Sequence, residues 1–159
     1  MELWIVAVIA LLVGVAGTFV FIGTTAAGIM VFENRSRYDM EESLDHLAVA
    51  VDAAGWKVTH IHDFQATLAK SGHQVRPIRV FEICRPELAV QVLSGGDERR
   101  VAEMMTCRIS VYEKPDGQVY ISRLNTRLMS RFFGGIIKKT MKEANRQSEV
   151  LVQGIIFPD

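Results

Sequence analysis

The sequence predicts an α+β protein in which a single N-terminal transmembrane helix precedes a small antiparallel-sheet domain. Three observations lead to this prediction: a long uncharged stretch at the start, short alternating segments separated by tight turns, and two amphipathic helical patterns. The predicted element order of the domain is β-α-β-β-α-β-β-α, with the helices packed on one face of the sheet. Of the 159 residues, roughly 120 remain beyond the apolar stretch, which is the size of one domain.

The apolar stretch from Leu3 to Phe32 contains no charged residue. A bilayer core requires about 20 apolar residues in a helix, so residues 3–25 are predicted to span it and residues 26–32 to enter the domain as a first strand. A cleaved signal peptide is the alternative. Such a peptide begins with basic residues and has an apolar core of about 7–15 residues, whereas only Met1 and Glu2 precede this longer stretch. The pattern therefore favours a permanent anchor.

The flanks of this segment predict its orientation. Arg35 and Arg37 follow it, and no lysine or arginine precedes it, so the positive-inside rule places the domain on the cytoplasmic side of the membrane. Ala10, Gly14 and Thr18 recur every fourth residue. Small residues at this spacing favour close helix packing, which predicts contact with a second copy or with another membrane subunit.

The domain begins with a predicted helix that starts at Asp39 and ends at Gly55, because an acidic cap opens the pattern and a glycine closes it. Strands are predicted at 56–62, 76–84, 107–113 and 119–124, and the last two are joined by the tight turn 114–117. Residues 63–72 are predicted as a connection. Pro86 opens a short helix over 86–93, and a further helical turn is expected to about residue 105.

The C-terminal part is predicted to be an amphipathic helix over 127–146, weakened by Gly134 and Gly135. A short strand is predicted within 150–157. Three segments follow from these elements: an anchor at 1–32, an α+β domain at 33–125, and a basic helix with its tail at 126–159. The basic side chains predicted to lie on anionic lipid headgroups are Arg131, Lys138, Lys139, Lys142 and Arg146. The alternative is an ordinary core helix with a solvated charged face.

Three separated segments together resemble a known family: Gly-Trp-Lys-Val-Thr-His-Ile-His-Asp-Phe-Gln-Ala-Thr-Leu at 55–68, Val-Phe-Glu-Ile-Cys-Arg-Pro at 80–86, and Cys-Arg-Ile-Ser-Val-Tyr-Glu at 107–113. In this order they are similar to the bacterial and archaeal domain-of-unknown-function family 302. The resemblance covers about 35–125 and implies a compact α+β domain, often dimeric, without an assigned activity. It implies no functional residues, and the apolar helix and the basic C-terminal helix are additions to the pattern it covers.

Two side-chain pairs are candidates for chemistry. Cys84 and Cys107 lie at the end of one predicted strand and the start of another, so they are expected at the same edge of the sheet. A redox pair or a persulfide carrier would need a depressed thiol pKa, which Arg85 and Arg108 would favour; the alternative is two small buried hydrophobes. His60 and His62 share one side of a strand and would hold a transition metal if other ligands joined them; the alternative is partly buried, hydrogen-bonded histidines.

The composition and the motifs argue against several classes of function. Basic and acidic residues balance at 18 each, which argues against a nucleic-acid binder. The sequence contains no phosphate loop, dinucleotide fingerprint or nucleophile elbow, and no catalytic residue is assigned. The prediction is a membrane-anchored binding or accessory module rather than an enzyme, as a homo-oligomer or a small subunit of a larger membrane complex. The alternative is a small thiol-redox, sulfur-handling or metal-handling protein.

Overall fold

The computed structural model describes residues 2–158 and has a long helix followed by an α+β domain. Helix α1 is Glu2–Met30. Its segment Trp4–Ala26, 23 residues with a mean hydropathy of 2.9, is long and apolar enough to cross a membrane, and none of its most apolar window is buried against the domain. Thr18 and Thr25 donate their hydroxyls to carbonyl oxygens one turn earlier, so these polar groups are satisfied within the helix.

The domain is built on a five-stranded antiparallel sheet in the order β1-β5-β4-β3-β2. The strands are β1 (Val31–Arg35), β2 (Lys57–Asp63), β3 (Ile78–Cys84), β4 (Cys107–Glu113) and β5 (Val119–Leu124). The β4–β5 hairpin turns at Gly117, whose φ of 74° suits a residue without a Cβ. The predicted α+β class and antiparallel sheet are therefore confirmed.

Strand β1 continues directly from α1, without a linker. Val31 lies opposite Leu124 in the register of β1 and β5. The backbone N–H of Asn125 donates to the Met30 carbonyl at 2.8 Å, and its side-chain amide donates to the Ile29 carbonyl at 3.0 Å. These bonds satisfy carbonyls that the end of a helix leaves free. We call the end of the sheet at which β1 starts and β5 ends the helix end.

Helices cover one face of the sheet. Helix α2 (Met40–Ala53) begins at Asp39, whose side chain accepts the Glu42 N–H at 2.9 Å, as the sequence predicts. The other helices are α3 (Phe64–Ala69), α4 (Pro86–Leu93), α5 (Thr126–Met129) and α6 (Gly135–Gln153), with 3₁₀ turns at Asp97–Met104 and Ser130–Phe132. The buried core between sheet and helices includes Leu47, Trp56, Phe81, Ile109, Ile121 and Val152.

Four local predictions need correction. Residues 26–30 belong to α1, so the first strand begins only at Val31. Residues 63–72 contain α3, which starts because the Asp63 side chain accepts the Ala66 N–H at 2.7 Å. The continuous helix over 127–146 is wrong, because the chain is extended at Gly134 and left-handed at Gly135, with φ of 54°. The strand at 150–157 is also wrong. Helix α6 continues to Gln153, and only an isolated bridge between Ser36 and Ile156 follows.

Helix α6 is held to the sheet by a largely buried ion pair. The Arg123 guanidinium, whose side chain is 8% exposed, donates to both Glu149 carboxylate oxygens, at 2.9 and 2.6 Å. Its remaining nitrogen donates to the Asn34 side-chain oxygen at 2.9 Å. One side chain of β5 therefore joins α6 to β1, the strand that continues from α1. Bidentate geometry and a third bond offset the desolvation of the charged group.

We expect Glu149→Ala to destabilise the domain by about 2–3 kcal/mol, because it leaves the buried Arg123 without its charge partner. The matched control is Glu113→Ala: this carboxylate is as exposed as Glu149, but its partner Arg76 is 53% exposed, so the loss should be under about 1 kcal/mol. Chemical unfolding measures both. The double variant Arg123→Met/Glu149→Met should recover most of the lost stability. Equal effects for Glu149→Ala and Glu113→Ala would contradict a special role for the buried Arg123–Glu149 ion pair.

Candidate functional site

The two cysteines lie at the helix end of the sheet but on opposite faces of it. Cys107 is opposite Ile83 in the register of β4 and β3, so both side chains point into the core. Cys84 follows Ile83, and because side chains alternate along a strand it points to the other face. Both cysteines are free thiols. The position of both cysteines at one end of the sheet agrees with the sequence prediction. Their side chains point to opposite faces, however, which does not suit a disulfide.

Both thiols are held in the uncharged form. Burial raises the pKa of Cys107 to about 11, with a smaller contribution from the nearby Cys84. Burial also raises the pKa of Cys84, and the Glu87 carboxylate adds to the effect. The expectation that neighbouring arginines favour thiolates is therefore corrected. Arg85 donates to the Ala54 carbonyl at 2.7 Å and to Gln147 at 2.9 Å, so it caps α2 and holds α6 instead.

The histidine pair lies on the open face of the sheet. The His60 and His62 rings are 4.4 Å apart, edge to face, and His62 Nε2 lies 3.4 Å from a Glu82 oxygen. Trp56 does not share this face, because the register of β2 shifts between Val58 and His60 and Trp56 is buried among the core residues. Glu82 is chiefly occupied by Arg108, whose guanidinium donates to it at 2.7 Å and lowers the pKa of its carboxyl.

Within residues 2–158, no group of three or more histidine, cysteine, aspartate or glutamate side chains is arranged to hold a metal. A metal at His60 and His62 would have to draw its other ligands from elsewhere. Metal binding at this pair stays a prediction.

The basic side chains fall on two elements. Arg131 is exposed on the 3₁₀ turn after α5, and the others lie on α6, where Lys139, Lys142 and Arg146 are exposed and Lys138 is half-buried. Arg146 is paired with Glu143 at 2.6 Å and lowers the pKa of that carboxyl to about 2. Arg146 is therefore less available to an external anion than the three lysines.

Helix α6 runs away from the helix end. Its Asn145 side chain accepts the Thr126 hydroxyl and the Arg127 N–H, both at 3.1 Å, and these residues directly follow β5. At the other end of the sheet Ile156 bridges to Ser36. The lysines precede Asn145, so they lie toward the helix end of the molecule.

A cavity that the sequence did not predict lies between the sheet and α6 at the helix end. Its volume is about 160 Å³, and its wall contains Met104, Cys107, Met129 and Met141. A smaller adjoining cavity of about 30 Å³ shares Met104, Cys107, Thr126 and Met141 with it and also touches Trp56 and Thr140. The lining residues come from separate elements, so no local sequence motif indicates the site.

Two buried polar atoms beside the smaller cavity lack a hydrogen-bond partner. These are the indole nitrogen of Trp56 and the hydroxyl of Thr140, and their residues are 1% and 2% exposed. Most buried polar groups in proteins are paired, so two unpaired ones beside one cavity distinguish this place from an ordinary packing defect.

Comparisons with known proteins give a family and a fold. A family model described as "Domain of unknown function DUF302" matches residues 32–153, which is longer than the resemblance over 35–125 and includes α6. The crystal structure of an uncharacterized conserved DUF302 protein from Bacillus stearothermophilus is similar with a TM-score of 0.69 and 17% sequence identity, covering 77% of this chain and 95% of that chain. None of the curated proteins matches.

We expect both thiols to react slowly in the folded protein, and Cys107 more slowly than Cys84. With a pKa of about 11, only on the order of one Cys107 in a thousand is a thiolate at pH 8, and the thiolate is the nucleophile. Iodoacetamide labelling of Cys84→Ala and Cys107→Ala, followed by mass spectrometry, separates the two rates. Rapid labelling before unfolding, or a stoichiometric persulfide, would instead support the redox alternative.

Proposed function

The chain belongs to the DUF302 family, and from that premise we propose that it is a membrane-anchored binding or accessory module. Helix α1 would span the cytoplasmic membrane of a bacterium or archaeon once, with the domain held at the cytoplasmic face. Self-association, or docking on another membrane subunit through Ala10, Gly14 and Thr18, stays a prediction that belongs to the same proposal.

The observation that carries the proposal is the exposed apolar helix fused to β1. Trp4, Leu11 and Phe19 are 79%, 67% and 73% exposed. Soluble monomers rarely expose continuous apolar surface of more than a few hundred Å², so this helix needs an apolar environment. Its apolar segment Trp4–Ala26 is about 35 Å long at 1.5 Å per residue, enough to cross a bilayer core of about 30 Å. Because Asn125 bonds the last turn of α1, the domain would lie directly against the membrane surface.

Membrane anchoring predicts that the full chain stays in the membrane pellet after alkaline carbonate extraction. Leu11→Arg/Leu12→Arg should release it, because each arginine at a helix centre costs about 2.5–3.5 kcal/mol on insertion scales. The conservative Leu11→Ile/Leu12→Ile is the control. Protease added to spheroplasts should leave the domain intact. A mature protein whose N-terminal sequence begins near residue 27, or a wild-type chain washed off by carbonate, would overturn the proposal.

The basic side chains support the placement at the membrane surface. Lys138 and Lys139 lie in the first two turns of α6, whose first turn contains no acidic residue. A helix N-terminus carries a partial positive charge, so lysines there repel it and an anion nearby relieves the repulsion. Anionic lipid headgroups would supply that anion. Phe132, 83% exposed on the adjoining 3₁₀ turn, is suited to the interface between headgroups and acyl chains.

Headgroup contact predicts slower amide hydrogen exchange over residues 130–142 in nanodiscs that contain phosphatidylglycerol than in phosphatidylcholine alone. Lys139→Glu/Lys142→Glu should remove the difference, and high salt should reduce it. Lys70→Glu/Arg76→Glu, with the same charge change at the opposite end of the sheet, should leave it unaltered. Exchange that ignores lipid charge would show that α6 is an ordinary core helix with a solvated face.

The alternative function, in thiol-redox or metal handling, has less support from the geometry. The raised pKa values of Cys84 and Cys107 oppose nucleophilic sulfur chemistry, and Glu82 beside the histidines is already paired with Arg108. A role in binding rather than in catalysis is therefore the one we propose.

A further inference from the structure

We propose that the two adjoining cavities beside Cys107 form one binding site for a small uncharged molecule that presents a carbonyl or ether oxygen on an apolar body about the size of a six-membered ring. The proposal goes beyond membrane anchoring and does not depend on it, because binding is measured on the isolated chain.

The size of the larger cavity sets the size of the ligand. The larger cavity has a volume of about 160 Å³ and opens toward solvent, since exposed residues such as Glu103 form part of its lining. Engineered apolar cavities of about 150 Å³ remain dry and take up benzene. Met104, Met129, Met141, Ile109 and Leu124 supply apolar wall here. A ring of six or so heavy atoms fills such a space.

Both arginines that line the cavity are already paired with carboxylates, and the third charged residue of the lining, Glu103, is exposed to solvent, which favours an uncharged ligand in the interior. Arg123 is paired with Glu149 at 2.6 Å, and Arg108 is paired with Glu82 at 2.7 Å. The Cys107 thiol is protonated at neutral pH, because its burial disfavours the thiolate. A charged ligand would enter without a counter-charge and would lose its hydration.

The unpaired polar groups select the ligand's oxygen. The Trp56 indole nitrogen can only donate a hydrogen bond, and the Thr140 hydroxyl can donate as well. Both residues line the smaller cavity, and both atoms lack a partner. An oxygen that accepts from both would satisfy them, while the apolar body occupies the larger cavity.

The wall between the two cavities is suited to admit such a molecule. Met104, Cys107 and Met141 line both spaces, and methionine side chains are unbranched and repack readily. A single ordered water in the smaller cavity is the competing explanation for the unpaired atoms. It would leave the larger cavity without a role.

The test uses the full chain in detergent micelles, labelled with ¹⁵N at tryptophan, with cyclohexanone as the probe. The Trp56 indole resonance should shift and saturate. Trp4, in the apolar helix, reports partitioning into the micelle and should change only gradually. Thr140→Val should weaken binding about tenfold, since one hydrogen bond is lost. Thr67→Val, which removes an exposed hydroxyl on α3, should bind as the wild type does.

A second variant tests the volume independently. Ser148 lines the larger cavity on α6, and Ser148→Leu would fill much of it, so binding should be lost while the Trp56 resonance remains at its folded position. The proposal is overturned if the Trp56 resonance shifts only gradually, as that of Trp4 does, and never saturates. A bound water alone would then explain the two unpaired atoms. The proposal is also overturned if Thr140→Val binds cyclohexanone as tightly as the wild type, or if folded Ser148→Leu still binds it.

Discussion

The pairing of β1 with β5 is the constraint on which the rest of the structure depends. Strand β1 is an edge strand and the direct continuation of α1, so its register against β5 fixes where the apolar helix leaves the sheet. Arg123 of β5 reinforces the arrangement, because it bonds Asn34 of β1 on one side and Glu149 of α6 on the other. A shift of one residue would move every β1 side chain to the opposite face and would break the contact with Asn34. The helix, the sheet and α6 are therefore held as one unit.

That constraint determines which residues meet at the helix end. β1 and β4 begin there and β3 and β5 end there, so the connections after Cys84 and after Leu124 both lie on that side. These connections carry α4, the 3₁₀ turn 97–104 and α5, and with the start of α6 they enclose a second apolar cluster that includes Val92, Val101, Ile137 and Met141. The cavities lie where this cluster meets the main core. The lysines of α6 are on the solvent side of the same helix.

The sequence predicts the elements with strong local signals and misses those that depend on tertiary contacts. The Asp39 cap, Pro86 at a helix start and the turn before Gly117 each specify backbone geometry within a few residues, and all three are observed. For the break before α6 the sequence indicates only a weakened helix, since a glycine pair does not show which backbone region it occupies. Trp56, Met104 and Thr140 lie far apart in sequence, and each is ordinary in its own segment. Nothing local indicates that they surround one space, so the cavity could not be predicted.

Electrostatic pairing explains why this part of the molecule is better suited to binding than to reaction. Arg85, Arg108 and Arg123 all lie near the cysteines or the cavity, and each is engaged by a carbonyl, amide or carboxylate group. With their charges satisfied, burial is the main influence on the thiols, and it raises the pKa of both. A cavity of this size, with methionine side chains, a neutral thiol and two unpaired polar groups around it, discriminates by shape and by one acceptor oxygen.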